Sequence, residues 1–182
     1  MQRSFLILLL TISANRALGA NPIFGEAQNQ ISLHLGQGLG SGGAPFSIFK
    51  FDKKPNGFYL FSVQYSQPDT NFRLAGRRNL EFMILKGFGA EYKYSQSMFG
   101  ASWDILLLWG ERMYLGVSLG AYIKSKIDEW IDSRFTFGER MFVGCRFQRL
   151  NLEIFVRHFS NGDLTTINHG YDFVGTALAL NY

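Results

Sequence analysis

Three side chains near the C-terminal end of the sequence are of the types that hydrolyse esters by a covalent route. His158 and Ser160 stand two residues apart, and Asp172 begins the next alternating run. Because strand side chains alternate between two faces, His158 and Ser160 share one face. A hydroxyl, an imidazole and a carboxylate bonded in series supply a nucleophile, its general base and the group that orients the base. The spacing predicts acyl-transfer chemistry if two neighbouring strands bring the three together.

The face that carries these three groups is apolar. His158 and Ser160 have the parity of the aliphatic residues before them, and Asp172 has the parity of those after it: Leu152, Ile154, Val156, Val174, Leu178 and Leu180. Polar groups on an apolar face cost free energy unless they have partners. We therefore expect the three groups to bond to one another.

The strands that hold these residues read as membrane-spanning. Apolar residues alternate with small, polar or charged ones through 99–109, 113–123, 135–147, 150–160 and 172–182. Runs of about 10–12 residues exceed the usual strand of soluble proteins and match a transmembrane strand. Arginines on the non-apolar face are expected to pair with Asp104 and Glu153 inside a polar lumen: Arg112, Arg140, Arg146 and Arg157. A soluble sandwich or a lipocalin-like barrel is the alternative.

The N-terminal residues predict export. Residues 1–20 contain Arg3, then an apolar core at 5–12, then small residues, which is the layout of a cleaved signal peptide. Residues 21–182 then form a single domain. After residue 20 no apolar run is long enough for a transmembrane helix. The lone Cys145 excludes an internal disulfide, and the net charge of +4 does not identify a partner.

The length after residue 20 fits eight strands. The prediction is an all-β fold, an eight-stranded antiparallel transmembrane β-barrel of the bacterial outer membrane, since both termini facing the periplasm requires an even number. Strand boundaries across 28–96 stay open: 79–94 fits one long strand or two short ones, 46–51 a strand or a loop edge, and Gly36–Gly43 a turn. The longer loops are expected at 66–79 and 124–134. The segment 161–171 is then extracellular, so the three polar groups lie at the level of lipopolysaccharide.

The segment 158–172 resembles the signature of the outer-membrane lipid A 3-O-deacylase family. That signature has a His-aromatic-Ser-Asn opening, followed by Leu, Asn, Gly and an acid four, eight, ten and twelve residues after the Ser. The matching residues are His158, Ser160, Asn161, Leu164, Asn168, Gly170 and Asp172. Phe137–Arg140 also resembles the family's Phe-x-acid-Arg strand. The likeness covers residues 98–182 well.

The resemblance implies hydrolysis of the ester at position 3 of lipid A. Ser160 would be the nucleophile, His158 the general base and Asp172 its orienting acid. Asn168 would help form the oxyanion hole, and Asn161 would shape the loop or give a second oxyanion donor. No metal or cofactor is implied. Lipopolysaccharide and outer-membrane lipids are the expected partners, nucleic acid is not, and a homodimer is a possible assembly.

Two departures from the family pattern affect this site. The orienting acid is Asp172, where the family commonly has Glu, so a shorter side chain must reach His158. Gly162 and Asp163 replace the usual Ala-Gly pair, which bears on the loop geometry and on any backbone oxyanion donor there.

Other functions and supporting residues remain open. A non-enzymatic barrel of the adhesin or membrane-stabilising type would place function in the loops. Another enzyme of lipid A acyl chains, such as a transferase, is a third possibility, although the Ser-to-Asp spacing favours the deacylase. Glu139 is expected to support the His158 region or to contact a sugar hydroxyl. Lys124, Lys126 and Arg134 could meet lipid A phosphates.

Overall fold

The computed structural model describes residues 28–39, 57–69, 75–87, 95–109 and 112–182. The predicted signal peptide at 1–20 and the possible strand at 46–51 lie outside these ranges. No helix within them has the length and hydropathy needed to cross a membrane.

Eight antiparallel strands form a closed barrel in chain order, and β1 pairs with β8 to complete it. The prediction of an eight-stranded antiparallel barrel is therefore confirmed. The strands are β1 (Gln30–Gly38), β2 (Phe58–Asp69), β3 (Ala75–Gly87), β4 (Ser95–Trp109), β5 (Met113–Lys124), β6 (Phe135–Phe147), β7 (Leu150–Ser160) and β8 (Tyr171–Asn181).

The two faces of the wall have opposite chemistry, as the alternation predicts. Outward-facing aliphatic side chains are largely exposed, for example Leu119 at 66%, Ile154 at 62% and Leu33 at 58%. A band of exposed apolar side chains around a closed barrel is the surface that lipid covers. The exterior is therefore the lipid-facing side of the wall.

The lumen is filled by ion pairs and aromatic rings. Arg77 contacts Asp104 at 2.8 Å and Glu153 at 2.9 Å, and Arg140 contacts Asp104 at 3.2 Å. Arg157 donates to Glu81 at 2.6 Å. Buried charges of this kind are stable only when they are paired and hydrogen-bonded.

Two of the four arginines predicted in the lumen are not there. Arg112 is exposed in the β4–β5 connection, and Arg146 is half-buried near the β6–β7 turn, where it donates to the Gln148 carbonyl. Both lie at the end of the barrel where water reaches the turns, so neither needs a buried partner. Arg157, by contrast, pairs with Glu81 rather than with the acids named from the sequence.

The N-terminal half has longer strands than the sequence indicates. β2 runs to Asp69 and β3 begins at Ala75, so residues 66–69 and 75–79 of the predicted 66–79 loop lie in strands, and the rest of it is outside the described residues. Polar residues read as loop here belong to strands, and Asp69 approaches Arg78 at 3.6 Å across the ladder. Gly36 and Gly38 likewise lie in β1 and not in a turn. A single strand, β3, covers 79–87.

The connections 125–134 and 161–170 lie at the same end of the barrel, because they join successive antiparallel pairs, β5–β6 and β7–β8. We call this the loop end. At this end the register sets His158 of β7 opposite Asp172 of β8 on one side and opposite Glu139 of β6 on the other.

Candidate active site

His158 and Asp172 form a buried pair on the outward side of the barrel wall. Nδ1 of His158 lies 2.6 Å from Oδ1 of Asp172, and each residue is only 2% exposed. The strand register sets the two opposite each other, so the shorter aspartate arm reaches the imidazole. A carboxylate that accepts the Nδ1 proton fixes the tautomer in which Nε2 is unprotonated and can act as a base.

The other imidazole nitrogen is available. Nε2 of His158 is buried and has no hydrogen-bond partner within the part of the chain that the structure describes. Ser160 is two residues further along β7, half-buried, and opposite Phe137 in the ladder. The structure thus brings His158 and Asp172 into contact and leaves Ser160 nearby, without a bond to Nε2. Nucleophile-to-base bonds are often formed only when substrate is present.

Gly170 lies directly against the imidazole ring of His158. Its φ of +72° lies in the left-handed region that favours glycine. A Cβ built there would lie 2.7 Å from Cε1 of His158 and 3.0 Å from the carbonyl oxygen of Phe159. The backbone at residue 170 can pass this close to the His158 ring only because glycine has no side chain. This close approach buries a histidine that the strand pattern points toward lipid.

Asn161 shapes the loop that follows Ser160. Its side-chain Oδ1 accepts from the backbone N–H of Asp163 at 2.9 Å, and its Nδ2 donates to the carbonyl of Ile167 at 3.1 Å. The residue is fully buried, and both ends of its amide are engaged. These contacts fit the loop-shaping role for Asn161 and leave its side chain no free donor of good geometry.

Asn168 keeps part of its donor capacity. Its Oδ1 accepts from the backbone N–H of Asn161 at 3.0 Å, which fixes which end of the amide is nitrogen. Nδ2 donates to Oδ1 of Asp163 at 2.7 Å. Since an amide nitrogen carries two hydrogens, one remains for another acceptor. Asp163 has a φ of +58°, an uncommon conformation for a residue with a side chain.

The remaining predicted residues lie in different places. Glu139 is half-buried on the outward face next to His158 in register. Lys126 and Arg134 are exposed in the connection 125–134. Lys124 does not point toward lipid phosphates as expected. It continues the inward parity of β5, is 1% exposed, and donates to Asp128 inside the barrel mouth.

A contact between the connections 125–134 and 161–170 is not predicted by the sequence pattern. Ile131 pairs with Asn168 in an isolated antiparallel bridge, and the carboxylate of Asp132 accepts from the Thr165 hydroxyl. That hydrogen bond holds the pKa of Asp132 below its ordinary value. The sequence contains one indication of a buried loop segment, the apolar pair Trp130-Ile131 in a stretch that is otherwise polar except for Ile127.

The described residues contain no group of three or more His, Cys, Asp or Glu side chains placed to hold a metal ion. The pair is an imidazole hydrogen-bonded to a carboxylate, and an imidazole held in this way can act as a general base. Such a base can activate a hydroxyl toward an acyl ester.

Two solved structures share this fold. The crystal structure of the outer membrane enzyme PagL matches with a TM-score of 0.58 and 13% identity, covering 83% of this chain and 98% of that one. The crystal structure of Neisserial surface protein A (NspA) matches with a TM-score of 0.60 and 12% identity, covering 85% and 97%. Comparison with curated protein sequences finds no match.

A family model gives the more specific result. The model described as Lipid A 3-O-deacylase (PagL) matches residues 59–181, which is most of the chain and includes the whole of β7, β8 and the loop between them. The chain therefore belongs to the lipid A 3-O-deacylase (PagL) family of ester hydrolases.

Proposed function

We propose that this protein removes the ester-linked acyl chain at position 3 of lipid A, with Ser160 as nucleophile, His158 as general base and Asp172 as the acid that orients the base. The observation that carries the assignment is the buried His158–Asp172 bond of 2.6 Å, with Nε2 left unpartnered on the lipid-facing side. Most buried side-chain polar atoms in proteins have a hydrogen-bond partner, and an unpartnered imidazole nitrogen is open to a substrate or a nucleophile.

The reaction proceeds in two acyl transfers. Ser160 Oγ attacks the ester carbonyl while its proton passes to Nε2 of His158, and Asp172 stabilises the imidazolium. Collapse of the tetrahedral intermediate breaks the bond to the sugar oxygen, which takes the proton from Nε2. Water then attacks the acyl-Ser160 ester with His158 again as base, and the 3-hydroxy fatty acid is released.

The oxyanion of each intermediate needs donors at the loop. The second N–H of Asn168 is the candidate side-chain donor, supported by the contact of its carbonyl with the Asn161 backbone. Removing one such donor typically costs about 10²–10³ in kcat. Asn161 contributes by fixing the loop on which Asn168 is held.

The location of the site supports a lipid substrate. His158 and Asp172 lie on the same outward face as the exposed aliphatic side chains of β7 and β8, near the loop end. This arrangement suits an outer-membrane protein, exported through residues 1–20, whose loop end faces the lipopolysaccharide leaflet. Exposed Lys126 and Arg134 at that end would favour the phosphates of lipid A.

Mass spectrometry of lipid A tests the proposal. Purified full-length protein is incubated with lipopolysaccharide, and the wild type is expected to remove one 3-hydroxyacyl chain from position 3. Ser160→Ala should leave lipid A intact, whereas Thr166→Ala, an exposed hydroxyl in the same loop, should behave as the wild type. A folded wild type that leaves position 3 acylated would overturn the proposal. A non-enzymatic adhesin or membrane-stabilising barrel would give that result.

A further inference from the structure

We infer that Lys124 and Asp128 are positioning residues for this hydrolysis. They form a buried ion pair in the mouth of the barrel that folds the connection 125–134, here called loop A, against the connection 161–170, here called loop B. The inference rests on the proposed function, because loop B carries the groups assigned to the oxyanion.

Asp128 is the centre of loop A. Its Oδ2 accepts from Lys124 Nζ at 2.9 Å and from the Tyr171 hydroxyl. Its Oδ1 accepts from the backbone N–H groups of Trp130 at 2.9 Å and Ile131 at 3.0 Å. One carboxylate thus takes four hydrogen bonds from three parts of the barrel mouth: the end of β5, loop A and the start of β8. Charge-assisted bonds of this kind are stronger than neutral ones.

Lys124 completes the link. Its ammonium group also donates to the carbonyl of Ile131 at 2.7 Å and lies 5.5 Å from the ring centre of Tyr171. The side chain is fully buried. A buried ammonium needs such partners to offset the loss of water. The backbone of Ile131 is therefore held from both its N–H and its C=O.

Ile131 is the residue at which loop A meets loop B. It forms the antiparallel bridge to Asn168. Two backbone hydrogen bonds flank that bridge, from His169 N to Trp130 O at 2.8 Å and from Asp132 N to Ile167 O at 3.2 Å. The backbone on both sides of Asn168 is thus fastened to a segment that Asp128 fixes.

Side-chain contacts also join loop A to loop B. The carboxylate of Asp132 accepts from the Thr165 hydroxyl and from Asn161 Nδ2 at 3.4 Å. Trp130 packs against the rings of Phe58 and Tyr171, with centroid distances of 6.4 Å to each, and those two rings stack on one another at 6.1 Å. Loop A therefore packs against loop B and holds it in position, and it is not a solvated connection.

The consequence is specific to the chemical step. The ladder between β7 and β8 holds His158 and Asp172 whether or not loop A is in place. The Asn168 amide, by contrast, depends on the bridge to Ile131. Loss of the Lys124–Asp128 pair should weaken stabilisation of the oxyanion, which forms only in the transition state, and should leave binding of the acyl chains nearly unchanged.

Asp128→Asn tests this most directly, with Glu129→Gln as the matched control. The Asn side chain keeps the shape, but its amide N–H₂ must face donors in either orientation: Lys124 and Tyr171, or the backbone N–H groups of Trp130 and Ile131. Glu129 is the exposed carboxylate next in sequence. Steady-state deacylation of lipopolysaccharide by full-length protein in detergent micelles gives kcat and KM separately. We expect kcat to fall by about 10- to 100-fold in Asp128→Asn. This is at or below the lower limit of about 10² for complete removal of one oxyanion donor, because the variant displaces the donor and does not remove it. KM should stay within about twofold, since uniform binding is untouched.

A double variant adds a second criterion. The variants Lys124→Met and Asp128→Asn are measured singly and together. If the two residues act as one unit, kcat of the double variant should be no lower than kcat of the worse single variant. Independent action would instead multiply the two fold-losses. If Asp128→Asn does not fold, Tyr171→Phe, which removes only one donor to Asp128, takes its place and should lower kcat in the same direction.

The outcomes separate this inference from the proposed function. An inactive wild type in the same assay overturns the proposed function itself. An active wild type with Asp128→Asn equal to Glu129→Gln overturns the inference alone. A fall confined to KM, or multiplicative losses in the double variant, also overturns it, because either result would mean that the pair acts on binding or on each residue separately.

Discussion

Replacement of Gly170 by alanine gives a quantitative test of how tightly the loop must close on His158. The added Cβ would lie 2.7 Å from Cε1 of the imidazole, whereas carbon atoms in contact are about 3.5–4.0 Å apart. The ring must therefore move by about 1 Å, or the loop must move away from it. A misplacement of about 1 Å at a reacting group can cost about 10²-fold in rate, so we expect kcat of Gly170→Ala to fall by that order.

A second, separate effect of Gly170→Ala is on stability. At φ +72° an alanine adopts the left-handed backbone conformation, which lowers the free energy of unfolding by about 1–2 kcal/mol. Gly162→Ala is the matched control, because its φ of +64° gives the same penalty in the same loop. Its Cβ would approach the Phe137 ring at 3.0 Å and not the imidazole. The difference in kcat between the two variants therefore isolates displacement of His158.

The assay compares kcat for release of the 3-hydroxy fatty acid with the denaturant midpoint of each variant. Both variants should lose similar stability, and only Gly170→Ala should lose most of its activity. Equal activity of the two variants would refute the reasoning. It would mean either that the loop relaxes without moving the ring, or that His158 is not the base.

Other perturbations probe the acid, the lumen and the loop contact. Asp172→Asn should keep the barrel folded and lower kcat by about 10⁴-fold, the loss seen when a triad acid no longer fixes the tautomer; full activity would remove it from the triad. Glu81→Gln leaves Arg157 buried without its carboxylate, so denaturant unfolding should show a loss of about 3–5 kcal/mol, against almost none for Glu129→Gln; equal midpoints would contradict the buried pair. The lowered pKa of Asp132 means that its hydrogen bond is present above the ordinary value of 3.8 and is lost only as pH falls through the lowered value. The protection of loop B amides, measured as their exchange rates relative to the intrinsic rates at each pH, should therefore persist until the pH is below 3.8, and loss of that protection at a higher pH would contradict the contact.

The position of the site on the wall follows from alternation together with the pairing of β7 and β8. Period two puts His158 and Asp172 on the outward face, and pairing of consecutive strands in a barrel then places them side by side. Parity also points Lys124 inward, yet its place at the end of β5 made it resemble the polar stretch that follows. Polarity is a poor guide to loops in a barrel, because a lumen-facing strand residue such as Arg77 is as polar as a loop residue.

The contact between loop A and loop B could not be predicted in this way. The bridge from Ile131 to Asn168 joins two irregular segments with no repeating pattern, and the Ile131 backbone is held beside it by a hydrogen bond to Asp128. Nor does spacing reveal that Nδ2 of Asn168 bonds to Asp163 in the resting structure. These features depend on three-dimensional packing between distant parts of the chain.

The packed lumen has a consequence for the kinetics. Arg77, Arg140, Phe142, Phe155 and their partners occupy the interior, so among the described residues no open path leads through the barrel. Under the proposed function, lipid substrate arrives, and the freed fatty acid leaves, by lateral diffusion in the leaflet around the wall. The effective substrate concentration is therefore a surface mole fraction. Diluting lipopolysaccharide with inert detergent at constant bulk concentration should slow turnover, as for enzymes confined to an interface.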